Sequence, residues 1–501
     1  MGDFMNDYIL DLKRISKNYP GIRALDQVDF AVRKGEIHCL MGENGSGKST
    51  LIKVISGIVR PEPGAEILIN GRRLEQLSSK TALDIGIHVI YQDLALYPNL
   101  TVKENIAFNR YIESGQKFVN WKDIDNIARY ALKELGESID INRTVGSLSI
   151  ADQQLVEIAR SLVGDLQVLI MDEPTSSLTR KEVQALFAVI KKLQQKGITT
   201  IFVSHKLNEI FEISERVTVL RDGKKVGVYE PQDLDHDRLT YLMTGQTVLH
   251  SKPEALADHR EILLEARNLS KKGNFKNITF QLAKGEILGI TGLLGSGRTE
   301  LALALFGMNM PESGDILLEG RPVRFRSNLD ALRAGIGYVP EHRMVQGLVM
   351  PQPIDENITI TTIERLLRKF SLIDRKKQKS SIKHWVNELA IKIASPHAAV
   401  MTLSGGNQQK VVLSKWLATH PKVLILDEPT IGIDVLAKNS IHQLVKKLAE
   451  SGMGIILISD EIPEVLHNCH RVLIMQKGSI LHECCPEHTS EQELAEQFNL
   501  G

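Results

Sequence analysis

The stretch Gly42-Glu-Asn-Gly-Ser-Gly-Lys48-Ser49-Thr50 decides how this chain folds. It fits the pattern G-x-x-x-x-G-K-[ST] of phosphate-binding loops. A strand-like run, residues 36–41, precedes it, and apolar residues at helical spacing follow it. This order of strand, glycine-rich turn and helix is the one that a phosphate-binding loop requires, because backbone N–H groups then meet the phosphate at a helix N-terminus. The context disfavours a chance glycine-rich turn.

Each residue type in this loop has a chemical task. Glycines let the backbone curl around phosphate oxygens. Lys48 is expected to reach the β- and γ-phosphates of a nucleotide, and the Ser49 hydroxyl to ligate Mg²⁺. The predicted nucleotide-binding residues here are Gly42, Glu43, Asn44, Gly45, Ser46, Gly47, Lys48, Ser49 and Thr50.

An acidic pair follows a second buried run. Asp172 and Glu173 come directly after the apolar residues 168–171. A carboxylate at a strand end can hold the water shell of Mg²⁺, and the next one can act as general base on an attacking water. The alternative is an acidic cap of the strand, and the upstream phosphate loop favours the catalytic interpretation.

The chain contains a long internal repeat. VRKGEIHCLMGENGSGKSTLIKVISG at 32–57 recurs as LAKGEILGITGLLGSGRTELALALFG at 282–307, an offset of 292 − 42 = 250. DEPT at 172–175 recurs at 427–430, an offset of 427 − 172 = 255. A repeat of this length indicates a duplicated domain rather than a solenoid. We predict domains at 8–244 and 263–499, joined by a polar linker at 245–262.

Both halves alternate short β-branched runs with helical patterns, which predicts a largely parallel sheet covered by helices. Apolar spacing over 121–136 predicts a helix outside that sheet, ended by Gly136.

Composition narrows the class of protein. The 501 residues carry equal numbers of acidic and basic side chains, 61 each, which argues against a dedicated nucleic-acid binder. Four cysteines in so long a chain are no disulfide framework, and a reducing cytosol is expected. His482, Cys484, Cys485 and His488 could be metal ligands, but a surface hairpin with incidental thiols is the favoured interpretation. The N-terminal residues do not resemble a signal peptide, and no run is long enough to cross a bilayer.

A further motif carries a family resemblance. LSGGNQQ at 403–409 precedes Asp427 by about twenty residues and resembles the signature sequence of ABC proteins. The resemblance covers both halves. It implies an α/β fold of two tandem P-loop ABC ATPase domains, each a mostly parallel sheet flanked by helices, with an antiparallel β subdomain and a helical insert. It also implies ATP hydrolysis with ATP and Mg²⁺ bound.

The resemblance assigns further roles by position. Tyr19 matches the aromatic residue that stacks on adenine, Gln92 the glutamine that senses the γ-phosphate, and His205 the switch histidine. Taken singly, these residues could be a packed tyrosine, a loop glutamine and a capping histidine. The implied catalytic residues are Glu173, His205, Gln92 and Lys48, and the implied Mg²⁺ residues are Ser49, Gln92 and Asp172. In the family, the signature closes on the γ-phosphate of an ATP held by the opposite domain. The resemblance implies this role for Ser404, Gly405 and Gly406.

The second half departs from the family pattern at its own phosphate loop. Arg298 replaces the lysine, which is not conservative in a tight phosphate cradle. Glu341 stands where Gln92 stands, since 341 − 92 = 249. Asp460 stands where the switch histidine stands, since 460 − 205 = 255. Aspartate cannot donate to a phosphate at neutral pH as histidine can.

The first half departs at its signature instead. Ser149, Ile150 and Ala151 stand where Ser404, Gly405 and Gly406 stand in the second half. In the head-to-tail pairing of the ABC family, each site joins the phosphate loop of one domain to the signature of the other. The alterations therefore gather in the site that joins Arg298 and Thr299 to the first half's signature, although Asp427 and Glu428 remain. We hypothesise one hydrolysing site and one that binds nucleotide weakly or slowly.

The stretches at 285–301, 340–348, 403–411 and 427–435 are together similar to the fused ATPases of bacterial monosaccharide importers, the ribose, galactose, xylose and autoinducer-2 systems. Two departures are Ala151, where glycine is expected, and Ile431, where arginine is usual. Neither touches the first phosphate cradle.

This likeness implies partners: a pair of transmembrane permease subunits contacted near Gln92 and residues 93–147, and indirectly a sugar-binding protein. It places the chain peripherally on the cytoplasmic face of the cell membrane, with no nucleic acid expected. The alternatives are a nucleoside importer of the same architecture and a soluble twin-domain ABC protein acting on ribosomes or DNA. A nucleotide-sensing module without transport is disfavoured by Glu173 and His205. The cargo itself is not encoded here.

Overall fold

The structure is a computed structural model that describes residues 7–114, 118–175, 178, 180–204, 206–247, 253, 261–293, 295–368 and 372–499. The chain divides into two compact units, residues 1–248 and 249–501, and each is described by itself. Among the described residues, none of the helices has the length and apolar content that a bilayer span needs. The domain limits 8–244 and 263–499 and the linker 245–262 stay predictions.

The first unit alternates strands and helices in the way that the hydrophobic runs predict. Its strands are β1 (Tyr8–Tyr19), β2 (Ile22–Arg33), β3 (Ile37–Met41), β4 (Glu66–Ile69), β5 (Arg72–Leu74), β6 (Ile87–Ile90), β7 (Val168–Asp172), β8 (Thr199–Val203), β9 (Arg216–Arg221) and β10 (Lys224–Tyr229). Its helices are α1 (Lys48–Ile55), α2 (Ser79–Asp84), α3 (Val102–Ser114), α4 (Trp121–Leu135), α5 (Ile150–Ser161), α6 (Arg180–Gln195), α7 (Leu207–Ile213) and α8 (His236–Thr244).

These strands form two sheets. The larger has the order β10-β9-β3-β8-β7-β6, and its strands are parallel except for β10, which pairs antiparallel with β9. The smaller is antiparallel, with the order β2-β1-β4-β5. Because the carboxyl ends of parallel strands meet at one edge, the loops after β3, β6, β7 and β8 share that edge. The predicted phosphate loop, Gln92 and the acidic pair all lie on these loops.

The second unit repeats this plan. Its strands are β11 (Ile262–Lys271), β12 (Phe275–Ala283), β13 (Ile287–Gly292), β14 (Ser313–Leu318), β15 (Arg321–Val323), β16 (Ile336–Val339), β17 (Val423–Asp427), β18 (Gly454–Ile458), β19 (Arg471–Gln476) and β20 (Ser479–Cys484). Its helices are α9 (Arg298–Leu305), α10 (Asn328–Ala334), α11 (Ile354–Thr359), α12 (Arg375–Glu388), α13 (Gly405–Leu417), α14 (Val435–Glu450), α15 (Ile462–Asn468) and α16 (Glu491–Asn499). The sheet orders are β16-β17-β18-β13-β19-β20 and β12-β11-β14-β15.

Both sheets of each unit, and the helices that cover them, confirm the predicted α/β fold with a mostly parallel sheet and an antiparallel subdomain.

The helix predicted to lie outside the sheet is α4. Asn120 caps its first turn by accepting hydrogen bonds from the Lys122 and Asp123 amides, and Gly136 ends it with φ = 82°. That left-handed conformation favours glycine, as the sequence indicated. The helix packs on α3 and α5, away from the strands.

A buried carboxylate fixes the turn into β3. Glu36 accepts hydrogen bonds from Arg216 Nε at 2.7 Å and Nη2 at 2.8 Å, and from the Arg33 amide at 2.6 Å; its carboxylate also hydrogen-bonds His38 Nδ1 at 2.8 Å. Burial alone would raise the pKa of Glu36, but the hydrogen bonds to His38 and Arg216 outweigh it and lower the pKa to about 2. The second unit repeats the bridge with Glu286 and Arg471.

Replacing Arg216 with alanine should destabilise the first unit by about 3–5 kcal/mol, because it leaves a buried carboxylate without its cation. The folded pKa of Glu36 lies below its ordinary value of 4.5, so the stability it contributes is present above pH 4.5 and is lost as the pH falls towards 2. The difference in unfolding free energy between wild type and variant should therefore narrow over that range. Denaturant titrations at several pH values measure it.

The exposed pair Lys284–Glu261 supplies the matched control, since Lys284→Ala breaks a contact of similar length, 3.1 Å, in solvent. Its effect should stay below about 1 kcal/mol. An Arg216→Ala variant no less stable than Lys284→Ala would contradict the buried-bridge interpretation.

Candidate functional site: two phosphate loops and their acidic pairs

The first phosphate loop lies between β3 and α1, as predicted. A Cβ at Gly47, where φ is 103°, would sit 2.5 Å from the Ala24 carbonyl oxygen, and one at Gly42 would sit 2.3 Å from that of Leu220. These two glycines therefore let the loop approach the protein's own backbone. Gly45 differs, since no atom lies within 4 Å of its ideal Cβ position. The open side of the loop is at Gly45.

Lys48 is held ready within this loop. Its Nζ donates hydrogen bonds to the carbonyl oxygens of Gly42 at 2.7 Å and Glu43 at 2.9 Å. Burial lowers the pKa of Lys48, while the charges of Glu173 and Asp172 act in the opposite direction. Among the described residues, the buried Ser46 hydroxyl has no hydrogen-bond partner. A buried ammonium and an unpaired hydroxyl are groups that phosphate oxygens satisfy, so the loop fits a nucleotide.

The acidic pair completes the charges at this edge of the sheet. Asp172 is the last residue of β7, and the Glu173 amide donates to the Val203 carbonyl of β8 at 3.0 Å. Glu173 has φ = 50°, a conformation that costs free energy in any residue but glycine and is common at functional sites. Burial, followed by the charge of Glu173, raises the pKa of Asp172. A cation such as Mg²⁺ would relieve the repulsion between the two carboxylates.

The other predicted residues of this site are placed as follows. Gln92 is exposed in the loop after β6, and Ser49 is exposed in the first turn of α1. Tyr19 ends β1 with 40% of its surface exposed, and Lys17 Nζ lies 5.8 Å from its ring centroid. His205 lies outside the described residues. An exposed ring is open to stacking, but its role and those of Gln92 and Ser49 stay predictions.

The second unit's signature begins α13. Ser404 stands at the N-cap position of this helix, but its hydroxyl accepts no hydrogen bond from a backbone amide of the first turn and instead accepts one from Asn407 Nδ2 at 3.0 Å. A Cβ at Gly406 would lie 2.6 Å from the Cβ of Ala437, so glycine is required for packing on α14. In the first unit Ser149 caps α5 by accepting from the Asp152 amide at 3.1 Å, and the Ile150 side chain is about half exposed. The two signatures thus present different surfaces.

Sequence reasoning missed a residue beneath this signature. Arg343 donates from Nη1 to the Ile431 carbonyl at 2.7 Å and from Nη2 to the Gly432 carbonyl at 3.1 Å. Its Nη2 would lie 2.9 Å from a Cβ at Gly405. Arg343 therefore holds the loop after β17 against the start of α13. The only sequence signal was that Arg343 lies in the 340–348 stretch. The first half has Leu94 at the corresponding position, since 343 − 249 = 94.

The three glycines of the second phosphate loop have nearly the same φ angles as those of the first, but the side-chain contacts differ. Arg298 Nη1 lies 3.3 Å from Glu428 Oε1, without the geometry of a hydrogen bond. Both oxygens of Asp427 accept hydrogen bonds, one from Thr299 Oγ1 at 3.3 Å and one from the Tyr338 hydroxyl at 2.9 Å. The acidic pair of this unit is thus in contact with the unit's own side chains.

The electrostatics of the two acidic pairs differ as well. Burial raises the pKa of Glu428 to about 9, with the charge of Asp460 as the next cause, and burial raises that of Asp427 to about 6. At a pKa of about 9 the Glu428 carboxyl group keeps its proton at neutral pH, which is the opposite of what a general base needs. That Asp460 cannot donate to a phosphate as a histidine does stays a prediction.

The cysteine and histidine residues near the C-terminus lie in and after the hairpin of β19 and β20. Cys485 is exposed, whereas Cys484 is buried and packs in the core, a difference that the prediction of a surface hairpin with incidental thiols did not include. Within the described ranges, no group of three or more His, Cys, Asp or Glu side chains is placed to hold a metal ion.

Comparisons with known proteins agree with this geometry. Residues 25–176 and 275–431 match the family described as ABC transporter. The chain is 41% identical over 489 residues to the ribose import ATP-binding protein RbsA of Clostridium perfringens, and 42% identical over 488 residues to RbsA 1 of Rubrobacter xylanophilus, covering 97% of each chain in both cases. Among solved structures, cbiO1 from Clostridium perfringens, part of the ABC transporter complex cbiONQ, is 27% identical over 46% of this chain and 90% of its own, with a TM-score of 0.41.

A family match that includes both phosphate loops and both acidic pairs, together with relatives that align over nearly the whole chain, shows that this protein belongs to the ABC transporter family and is an ABC-type ATPase.

Proposed function

We propose that this ATPase energises the import of a monosaccharide through a partner permease, and that the first phosphate loop is its hydrolytic site. The cargo class is supported by the relatives, which are named ribose import ATP-binding proteins. The observation that carries the site is the contrast between the two loops. In the first, Lys48 is held by the carbonyl oxygens of its own loop, whereas in the second Arg298 and Tyr338 contact the acidic pair.

The first unit's residues divide the work of hydrolysis. Lys48 and the N–H groups at the start of α1 bind the β- and γ-phosphates of ATP, and their positive charge favours the negative charge that develops on phosphoryl transfer. Ser49, Gln92 and the Asp172 carboxylate would hold Mg²⁺, which would supply further charge neutralisation. Glu173 takes the proton of the attacking water, and His205 contacts the γ-phosphate. Tyr19 stacks on the adenine.

The signature residues Ser404, Gly405 and Gly406 are proposed to complete this site, in the head-to-tail manner that the family resemblance implies. The second phosphate loop, with Arg298, Glu341 and Asp460, is proposed to hydrolyse slowly or not at all. We further propose that the chain is peripheral at the cytoplasmic face of the membrane, where a pair of permease subunits contacts it near Gln92 and residues 93–147. A sugar-binding protein would deliver the cargo to that permease.

Two rival functions make different predictions. A nucleoside importer of the same architecture would use identical ATPase chemistry, and only cargo uptake separates the two. A soluble twin-domain protein acting on ribosomes or DNA would have no membrane partner.

Vesicles that contain this chain with its permease and sugar-binding protein should show ATP-dependent uptake of labelled ribose that labelled uridine does not reproduce. Uptake of uridine alone would favour the nucleoside importer.

Glu173→Gln should abolish ATP turnover, with a loss on the order of 10²-fold or more, because a general base contributes at least that much. Glu428→Gln, the matched variant in the second unit, should leave turnover within about twofold, since its partner groups already prevent base catalysis. The measurement is steady-state ATPase activity of the chain co-purified with its permease, with nucleotide binding checked in parallel. Equal damage from the two variants would contradict the assignment of hydrolysis to the first unit alone.

Arg343→Ala should lower kcat on the order of tenfold and leave KM for ATP within about twofold. The variant removes two charge-assisted hydrogen bonds worth about 1.5–3 kcal/mol each, and they hold the loop at Ile431 and Gly432 beside the signature. Arg365→Ala is the control, because Arg365 also donates to a backbone carbonyl, that of Thr419 at 3.3 Å, but at the far end of α13. If both variants lower kcat equally, Arg343 acts through general stability and not through the signature.

A further inference from the structure

The two units differ at a position that the predicted site does not include. Tyr338 in β16 corresponds to Val89 in β6, since 338 − 89 = 249, the same offset that relates Glu341 to Gln92. Both strands lie beside the strand that ends in the acidic pair, β17 in the second unit and β7 in the first. The residue at this position therefore has access to the neighbouring aspartate, Asp427 or Asp172.

In the second unit a tyrosine covers the aspartate. The Tyr338 hydroxyl donates to Asp427 Oδ2 at 2.9 Å, and the Thr299 hydroxyl donates to Oδ1 at 3.3 Å. Asp427 has no exposed surface, and Tyr338 is 4% exposed. The tyrosine ring packs against Phe306 with 5.4 Å between ring centroids, so neighbouring side chains hold it in place. Because Asp427 is fully buried, its Oδ2 can accept from the water shell of a metal ion only if Tyr338 moves away, and its Oδ1 only if Thr299 does.

In the first unit the corresponding aspartate stays accessible. Val89 has no hydroxyl to donate, and Asp172 is partly exposed. The cationic residues of the two loops also have different partners. Lys48 is held by the carbonyl oxygens of its own loop, whereas the Arg298 guanidinium is turned to Glu428 at 3.3 Å. The second unit thus supplies from its own chain the hydroxyl donors and the cation that a bound metal ion and its water shell would otherwise provide to the acidic pair.

We propose that Tyr338 closes the metal position of the second phosphate loop, so that this unit does not take up a magnesium nucleotide. The residues of the second loop do not fit Mg²⁺ while Asp427 is covered, in contrast to those of the first. Any nucleotide at the second loop is bound without its metal. This inference rests on the proposed function only in that the first loop is the one that holds ATP with Mg²⁺.

The test counts bound metal on the full chain. Mn²⁺ replaces Mg²⁺, a non-hydrolysable ATP analogue saturates the protein, and electron paramagnetic resonance measures bound Mn²⁺ above a control without nucleotide. Wild type should bind about one Mn²⁺ per chain. Tyr338→Phe removes only the hydroxyl, and Tyr338→Val installs the first unit's residue; both should raise the count towards two. Adding Asp427→Asn to Tyr338→Phe should return it to one, which locates the second ion.

Tyr229→Phe removes a hydroxyl from β10, which lies at the edge of the first unit's sheet away from β7; it is the control and should leave the count at one. Two ions on the wild-type chain would overturn the inference. So would a count of one in both Tyr338 variants, provided that thermal melting shows them folded. A wild-type count of zero would refute the proposed function of the first loop instead, and the difference between wild type and Tyr338→Phe would still decide the role of Tyr338.

Discussion

The contact between the Lys48 ammonium and the carbonyl oxygens of Gly42 and Glu43 is the interaction on which the first site depends. It holds a buried positive charge at a helix N-terminus, beside the carboxylates of Asp172 and Glu173. The parallel sheet makes this possible, because β3 and β7 end at the same edge with only β8 between them. The roles proposed for Lys48, Asp172 and Glu173 all use that one edge.

The duplicated sheet shows that the backbone alone does not decide the chemistry. Both units have the loop, the helix start and an acidic pair whose second residue has a left-handed backbone conformation. The units differ in what the side chains contact. In the second unit, Arg298 and Tyr338 contact the acidic pair. The side chains that correspond to the phosphate- and metal-binding residues of the first unit are thus engaged with one another. The two units therefore share a fold, and the difference in their proposed functions comes from their side chains.

The sequence could predict whatever depends on local pattern. The phosphate loop, the acidic pair, the duplication and the end of α4 at Gly136 are set by spacing and by residue types, and the structure places each where expected. Arg343 and Tyr338 could not be found in this way. Their partners are 88 and 89 residues away along the chain, and such contacts arise only when β16 and β17 pair. The burial of Cys484 is likewise set by packing on the core rather than by its neighbours in sequence.

The alterations in the second unit form a consistent set on physical grounds. Asp427 is fully buried, and a buried carboxylate without partners is costly, so a unit that keeps this aspartate without a metal ion must supply donors of its own. Thr299 and Tyr338 supply two hydroxyl donors to Asp427, and the Arg298 guanidinium lies 3.3 Å from Glu428. A tyrosine where the first unit has a valine therefore stabilises the aspartate that remains. The same tyrosine covers the carboxylate that a magnesium nucleotide requires, so in this unit the stability of the fold and the binding of the metal are in competition.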